Sequence, residues 1–282
     1  MIRLSLSGIF LAVLVAGVLE GAEVGPVRVC ADPDNLPFSS KGPPATGFEV
    51  ELARELAPDV AFHWVPTYRW PVVAKLLLDR RCDLFFGLPL DPRFVDDNPR
   101  ITLSRPYYVM GQVLVSRAGE GIRRLEDLQG KVVGVEVASP GDFLAVQRGY
   151  HRRVYLTPEE TFEALRVRNV DAAVMWSSPA GWLARNTPGF EVTWIREPEA
   201  EFRIGIGMRK EDRELKTAVD RAVKRLVEEK KVEEILGRYG VPVLRESPVA
   251  TQPEESRSIV KQLPALVCQE SSDYLEVWMS LP

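Results

Sequence analysis

The sequence predicts an α/β protein built from two similar units, and three observations carry that reading. Short extended segments alternate with amphipathic helices from residue 27 onward, and the same series of parts occurs twice. Two long extended segments, at 107–115 and 202–208, divide and rejoin the two series. Parallel strands need a crossover of about a dozen residues, usually a helix, so this alternation implies two mostly parallel sheets joined by two crossover strands.

The elements follow in order. Residues 27–31 read as a strand, and Asp32-Pro33-Asp34-Asn35-Leu36-Pro37-Phe38 as a loop leaving its carboxyl end. A helix is announced by Thr46 with Glu49 three residues on, a capping box, and carries Phe48, Leu52 and Leu56 at one-turn spacing until Pro58. Val60, Phe62 and Trp64 alternate as on a strand; a helix through Val72, Leu76 and Leu77 then leads to a buried strand at 82–87. The second series has a strand at 131–135, a helix from Ser139, a strand at 154–156, and a helix capped by Thr157 with Pro158 in its first turn and Glu160 at the box position. A strand at 170–175, a helix from about Ser178 and a strand at 191–195 complete it. Residues 212–240 read as one helix with Leu215, Val219, Ala222 and Leu226 on its apolar face, stopped by Gly237 and Gly240.

Composition sets bounds on function. The chain has 282 residues, 36 Lys+Arg against 40 Asp+Glu, a net charge of −4 and 45% hydrophobic residues. This is enough for two cores of roughly 100–150 residues each. It lacks the basic excess of a nucleic-acid binder and the apolar deficit of a disordered chain. Arg3, an apolar run at 8–19 and the small pair Gly21-Ala22 read as a secretory signal peptide spanning 1–22, with Glu20 ending the run short of membrane length. The expected fate is export. Of the three cysteines, Cys30 and Cys82 fall in predicted neighbouring strands of one unit and form the candidate pair, leaving Cys268. The expected division is 23–112 with 205–240 as one lobe, 113–204 as the other, and 241–282, carrying Pro242, Pro248, Pro253 and Pro264, as an appended tail.

Five segments, in order, resemble the extracellular solute-binding proteins of family 3, the periplasmic receptors of ABC importers. They are Gly47-Phe48-Glu49-Val50-Glu51-Leu52-Ala53, Asp83-Leu84-Phe85-Phe86-Gly87, Leu103-Ser104-Arg105-Pro106-Tyr107-Tyr108, residues 125–135, and Val170-Asp171-Ala172-Ala173-Val174. The resemblance implies a bilobed type II periplasmic-binding-protein fold and a small ligand held in an interlobe cleft. It agrees with the rule that open α/β sheets bind ligands outside the carboxyl ends of their strands. Family members that bind amino acids usually follow the third strand with Gly-x-Ser/Thr-Ile-Thr-x-x-Arg; this chain has Gly87-Leu88-Pro89-Leu90-Asp91-Pro92-Arg93. Where they place an acid for the ligand ammonium, it has Met175-Trp176-Ser177-Ser178-Pro179. An α-amino acid is thereby deprived of both charge-assisted anchors. The opening at 28–39, Arg81-Cys82-Asp83, and the run from Asp171 through Trp176 to Ala180-Gly181 resemble more specifically a subgroup encoded beside PQQ-dependent alcohol dehydrogenases, the J-type accessory proteins of methanol dehydrogenase operons.

The candidate ligand residues are these. Asp32, Asn35 and Phe38 lie on the first strand-to-helix loop, although Asp and Asn also favour turns for local reasons. Tyr68-Arg69-Trp70 offers stacking and a cation, and Pro89 and Arg93 stand where a carboxylate site usually lies. Ser139 and Gly141 open a helix whose N–H groups favour an anion. Trp176 and Ser177 take the place of the ammonium ligand, which points to a flat solute.

Catalytic signals are poor. Val137-Ala138-Ser139-Pro140-Gly141 lacks the first glycine of a nucleophile elbow, His63 and His151 have no metal-ligand company, and Gly205-Ile206-Gly207 lies in a strand. No enzyme, cofactor or metal is expected. Two readings compete: a monomeric receptor for a small anionic or aromatic ligand, serving an ABC-transporter permease, and an accessory protein of a quinoprotein dehydrogenase whose cleft is vestigial.

Overall fold

The computed structural model describes residues 26–66, 70–90, 98–197 and 200–244, without the side chains of Trp70 and Pro71. The signal segment, Tyr68, Arg69, Arg93 and Cys268 lie outside the described residues. The chain divides into two units, Met1–Tyr108 with Arg203–Ile235 and Val109–Phe202 with Leu236–Pro282.

The first unit contains β1 (Arg28–Ala31), β2 (Asp34–Asn35), β3 (Ser39–Ser40), α1 (Phe48–Leu56), β4 (Ala61–Trp64), α2 (Trp70–Leu78), β5 (Leu84–Pro89) and β6 (Ile101–Leu103). The second contains β7 (Tyr108–Arg117), β8 (Val132–Glu136), α3 (Pro140–Gln147), β9 (His151–Tyr155), α4 (Pro158–Arg166), β10 (Ala172–Trp176), α5 (Ser177–Asn186) and β11 (Phe190–Trp194). The chain returns to the first unit in β12 (Glu201–Arg209) and continues through α6 (Arg213–Glu228) to α7 (Lys231–Arg238), the last element among the described residues.

Each sheet has the same plan. In the first unit β1 is central between parallel neighbours β4 and β5, while β12 runs antiparallel to both β5 and β6. In the second, β8 is central between parallel β9 and β10, while β7 runs antiparallel to both β10 and β11. The sheets are therefore mixed, not mostly parallel. Each long crossover segment enters its sheet beside the third strand of the unit and runs the opposite way.

Local signals explain most elements and fail where a longer-range contact outbids them. Ser139 caps α3, its Oγ accepting the Asp142 N–H at 3.1 Å, and Thr157 caps α4 by the same bond from Glu160 at 3.1 Å. Thr46 does not cap α1. Its backbone is drawn into a bridge with Ser40, and Gly47 becomes the N-cap at φ +119°, where a Cβ would lie 2.3 Å from the Phe38 carbonyl oxygen. The expected loop after β1 contains the short β2–β3 hairpin. β5 alternates between buried and half-buried positions instead of being buried throughout, and β9 begins at His151, three residues earlier than its apolar end indicates. The single helix expected over 212–240 is two, broken at Lys230 with φ +59°.

The sheet of the second unit is packed on both faces. Leu114, Val133, Val135 and Val174 form one core with Ala145 of α3, and Val113, Val115, Ala173 and Met175 form the other with Phe162 and Leu165 of α4.

One corner of the first unit is tied covalently and by charge. Cys30 of β1 and Cys82, just before β5, are disulfide-bonded, with Cα atoms 5.4 Å apart. Beside them Arg209, 5% exposed, donates through Nη1 to the carbonyls of Leu77 (3.0 Å) and Cys82 (2.7 Å) and pairs through Nη2 with Asp83 (2.8 Å) and Asp212 (2.7 Å). Arg28 grips the same Asp83 from its backbone N–H and its guanidinium. Burial opposes ionisation of Asp83, but the hydrogen bonds from Arg28 and Arg209 outweigh it and hold the carboxyl down at about 2. The Arg81-Cys82-Asp83 motif is therefore a structural joint.

Candidate functional site

In an open α/β sheet the ligand-binding edge is where parallel strands end and helices begin. In the first unit that edge is formed by the ends of β1 and β5. Asp32 follows β1 and bends the chain, its Oδ1 accepting the Asp34 N–H at 3.0 Å, while the Asn35 carbonyl accepts from Phe38 at 2.9 Å. These are the turn-forming roles that Asp and Asn play locally. Phe38 packs against Phe48 with the rings tilted (5.2 Å between centroids), Phe48 meets Tyr108 edge-on (5.7 Å), and Tyr108 lies against Tyr107 (5.0 Å), so an aromatic series runs beneath the edge. Pro89 closes β5 opposite Ile204, and Leu90 resumes the ladder by donating to the Arg203 carbonyl. Trp70 begins α2.

Two residues absent from the sequence-derived site sit under this edge. Glu49, read as a capping residue, turns its carboxyl inward. The Tyr107 hydroxyl donates to its Oε1 at 3.3 Å and accepts the Gly87 N–H at 3.1 Å, and Gly87 adopts φ +85° with its Cβ position 2.9 Å from the same Oε1. Burial pushes Glu49 up to about 8 from the ordinary 4.5, against the pull of the Tyr107 hydrogen bond.

The direction of the resulting pH dependence is fixed. Because the folded-state value is raised, the unfolded chain releases this proton first, so the contribution of Glu49 is fully present below pH 4.5 and is lost as pH rises through about 8. Urea unfolding at pH 4.5 and pH 9 should show a loss of about 4 kcal/mol in the wild type that Glu49→Gln removes; an equal loss in both proteins would refute this assignment.

In the second unit the candidates Ser139, Gly141, Trp176 and Ser177 do share one edge. The start of α3 already has its own anion: Asp142 accepts the Ala138 N–H at 3.1 Å and pairs with Arg152 at 3.3 Å, so the site is poorly placed for an anionic ligand. Gly141 packs inward, where a Cβ would stand 2.7 Å from Gln112 Oε1 and 2.8 Å from Val174 Cγ1. Ser177 is fully buried and its Oγ accepts the Gly111 N–H at 3.2 Å. Trp176, half-buried, leans on Phe202 with centroids 5.4 Å apart.

The strand ending in Trp176 has no acid, but its neighbour supplies one. Glu136, the last residue of β8, accepts the Trp176 backbone N–H; burial, together with repulsion from Glu159, raises it to about 7 despite that bond. Its Oε1 is shielded from solvent without a hydrogen-bond partner. Gln112, directly opposite Trp176 in the β7–β10 register, is fully buried with both amide atoms unpartnered, and so is the Ser178 hydroxyl. Buried polar atoms left unpaired cost roughly 1–3 kcal/mol each, and unpaired groups at a sheet edge are what a ligand can satisfy. The sequence signal for Glu136 is faint: one charge ending an otherwise apolar Val132-Val133-Gly134-Val135 run.

Among the described residues no helix is long and apolar enough to cross a membrane, and no three His, Cys, Asp or Glu side chains converge as a metal site.

The decisive comparison is with a family model, bacterial extracellular solute-binding proteins, family 3, which matches residues 27–242. The chain belongs to this family. Its relatives include Protein MoxJ of Methylorubrum extorquens, 27% identical over 261 residues, 79% of this chain and 83% of that one. Among solved structures, an ancestral cationic amino acid solute-binding protein, AncCDT-1, is 26% identical with TM-score 0.66, covering 77% of this chain and 96% of its own. MxaJ of Methlophaga aminisulfidivorans shares the fold at 21% identity and TM-score 0.63, covering 77% of this chain and all of its own. Within the family the chain is similar to MoxJ, and its fold is the type II solute-binding fold.

Proposed function

We propose that this family 3 member is a periplasmic receptor that captures a small aromatic solute, with Trp176 as the stacking surface and Glu136 as the polar anchor. The observation that carries the reading is the set of buried, unpartnered polar atoms on Gln112, Glu136 and Ser178, which belong to the strand end and helix start at Trp176 and to the two strands that flank it. An edge that had lost its ligand would be expected to fill with apolar side chains, since unsatisfied polar atoms bring no stability. The ligand is aromatic more readily than anionic, because Asp142 occupies the helix start that an anion needs. The protein binds without chemistry and serves an ABC-transporter permease, in association with PQQ-dependent alcohol oxidation.

Thermal-shift titration tests this with the quinone cofactor, aromatic acids, aromatic amines and amino acids. A compound at 100 times its Kd stabilises the folded state by about 2.7 kcal/mol, a readily measured rise in Tm. The expected result is a shift for an aromatic compound that Trp176→Ala abolishes. No shift across the panel would remove the receptor reading.

The likeness to MoxJ supports a second reading, an accessory protein of a quinoprotein methanol dehydrogenase. It requires that the purified protein bind such a dehydrogenase directly, and sedimentation of the mixture as two separate species would exclude it.

A further inference from the structure

A groove on the first unit gathers positive charge in a protein whose net charge is −4. It has a volume of about 530 Å³ and lies between Leu103-Ser104-Arg105 and the α6 face carrying Lys216, Asp220, Arg221 and Lys224. Four cations thus face one carboxylate. That carboxylate is engaged: Asp220 accepts the Arg105 backbone N–H at 2.7 Å through Oδ1 and the Lys216 ammonium at 2.5 Å through Oδ2. Lys224 has a loose partner in Glu228 at 3.7 Å. The guanidinium groups of Arg105 and Arg221, both exposed, have no carboxylate partner among the described residues.

We infer that this groove docks an acidic peptide segment of a partner protein. The spacing favours a chain over a single ion. Lys216, Arg221 and Lys224 run along two turns of α6, a rise of about 12 Å over eight residues, which matches three or four residues of an extended segment at about 3.3 Å each. Two free guanidinium forks suit carboxylates, which they can hold bidentately. Aliphatic stems of the lysines and Leu103 give the segment an apolar floor. Arg105 belongs to the Leu103–Tyr108 stretch of sequence that opens the crossover, and Tyr107 and Ser104 of that stretch are tied into the unit, Ser104 Oγ accepting the Ile206 N–H at 2.9 Å. The loop that presents Arg105 is therefore held in place from both sides.

The test is fluorescence anisotropy of a labelled octaglutamate peptide with the whole protein, at 25 and 150 mM salt, with inorganic phosphate as competitor. The expected result is saturable binding that weakens with salt and falls at least tenfold in Arg105→Gln/Arg221→Gln, while Arg166→Gln, on the other unit, leaves it unchanged. Both groove side chains are exposed and the Arg105 contact to Asp220 is through its backbone, so the double variant should keep the wild-type Tm. Binding equal in the double variant and the wild type, absence of saturable binding, or displacement by phosphate at the peptide's own concentration would each overturn the inference.

Discussion

Arg209→Met is expected to destabilise the first unit by about 3–5 kcal/mol, because it breaks a buried charge cluster by removing one partner. Arg209 is 5% exposed; its guanidinium hydrogen-bonds the Leu77 and Cys82 carbonyls and Asp83, and forms an ion pair with Asp212. Methionine keeps much of the volume and none of the donors. Asp83 keeps Arg28, so its carboxyl stays charged, but the Cys82 and Leu77 carbonyls lose the donor given by Arg209. Urea unfolding followed by tryptophan fluorescence measures the change, and a loss under 1 kcal/mol would show that the cluster is dispensable. A second signature is acid stability. With one of its two cationic partners gone, Asp83 should titrate above its present value of about 2, moving the loss of its contribution to higher pH.

Cys30→Ser/Cys82→Ser should cost about 4 kcal/mol, the chain-entropy value for a cross-link whose residues are 52 apart in sequence. The pair joins β1 to the approach to β5, the two strands whose ends make the first unit's edge. Wild type in strong reductant should fall to the stability of the double variant, and a variant as stable as the oxidised wild type would mean that the bond does not form in solution. The effects of this pair and of Arg209→Met should not add, because Arg209 donates to the Cys82 carbonyl itself.

How much was legible in the sequence depended on the range of the interaction. Ser139 and Thr157 cap their helices as their spacing indicates, since a cap involves only three residues and nothing competes for them. Thr46 carried the same signal and was overruled by Ser40, a partner across a turn, which freed Glu49 to point inward. The break at Lys230 was hidden because a left-handed lysine leaves no mark in the apolar pattern on either side. The edge of the second unit was half legible. Trp176 is visible as a departure from a family pattern, but Glu136 lies at the end of the adjacent parallel strand, where no spacing along the strand of Trp176 points to it. Gln112 was invisible because its meaning comes from a register, opposite Trp176 and against Gly141, which no local spacing encodes.

Isothermal titration of the purified protein with the aromatic compound that gives the largest thermal shift, beside Trp176→Ala and Glu136→Gln, tests solute capture most directly. The expected result is one site per chain, with affinity at least tenfold weaker in each variant while both remain folded. Unchanged affinity in both variants would place binding elsewhere on the molecule and contradict the assignment of this edge as the ligand site.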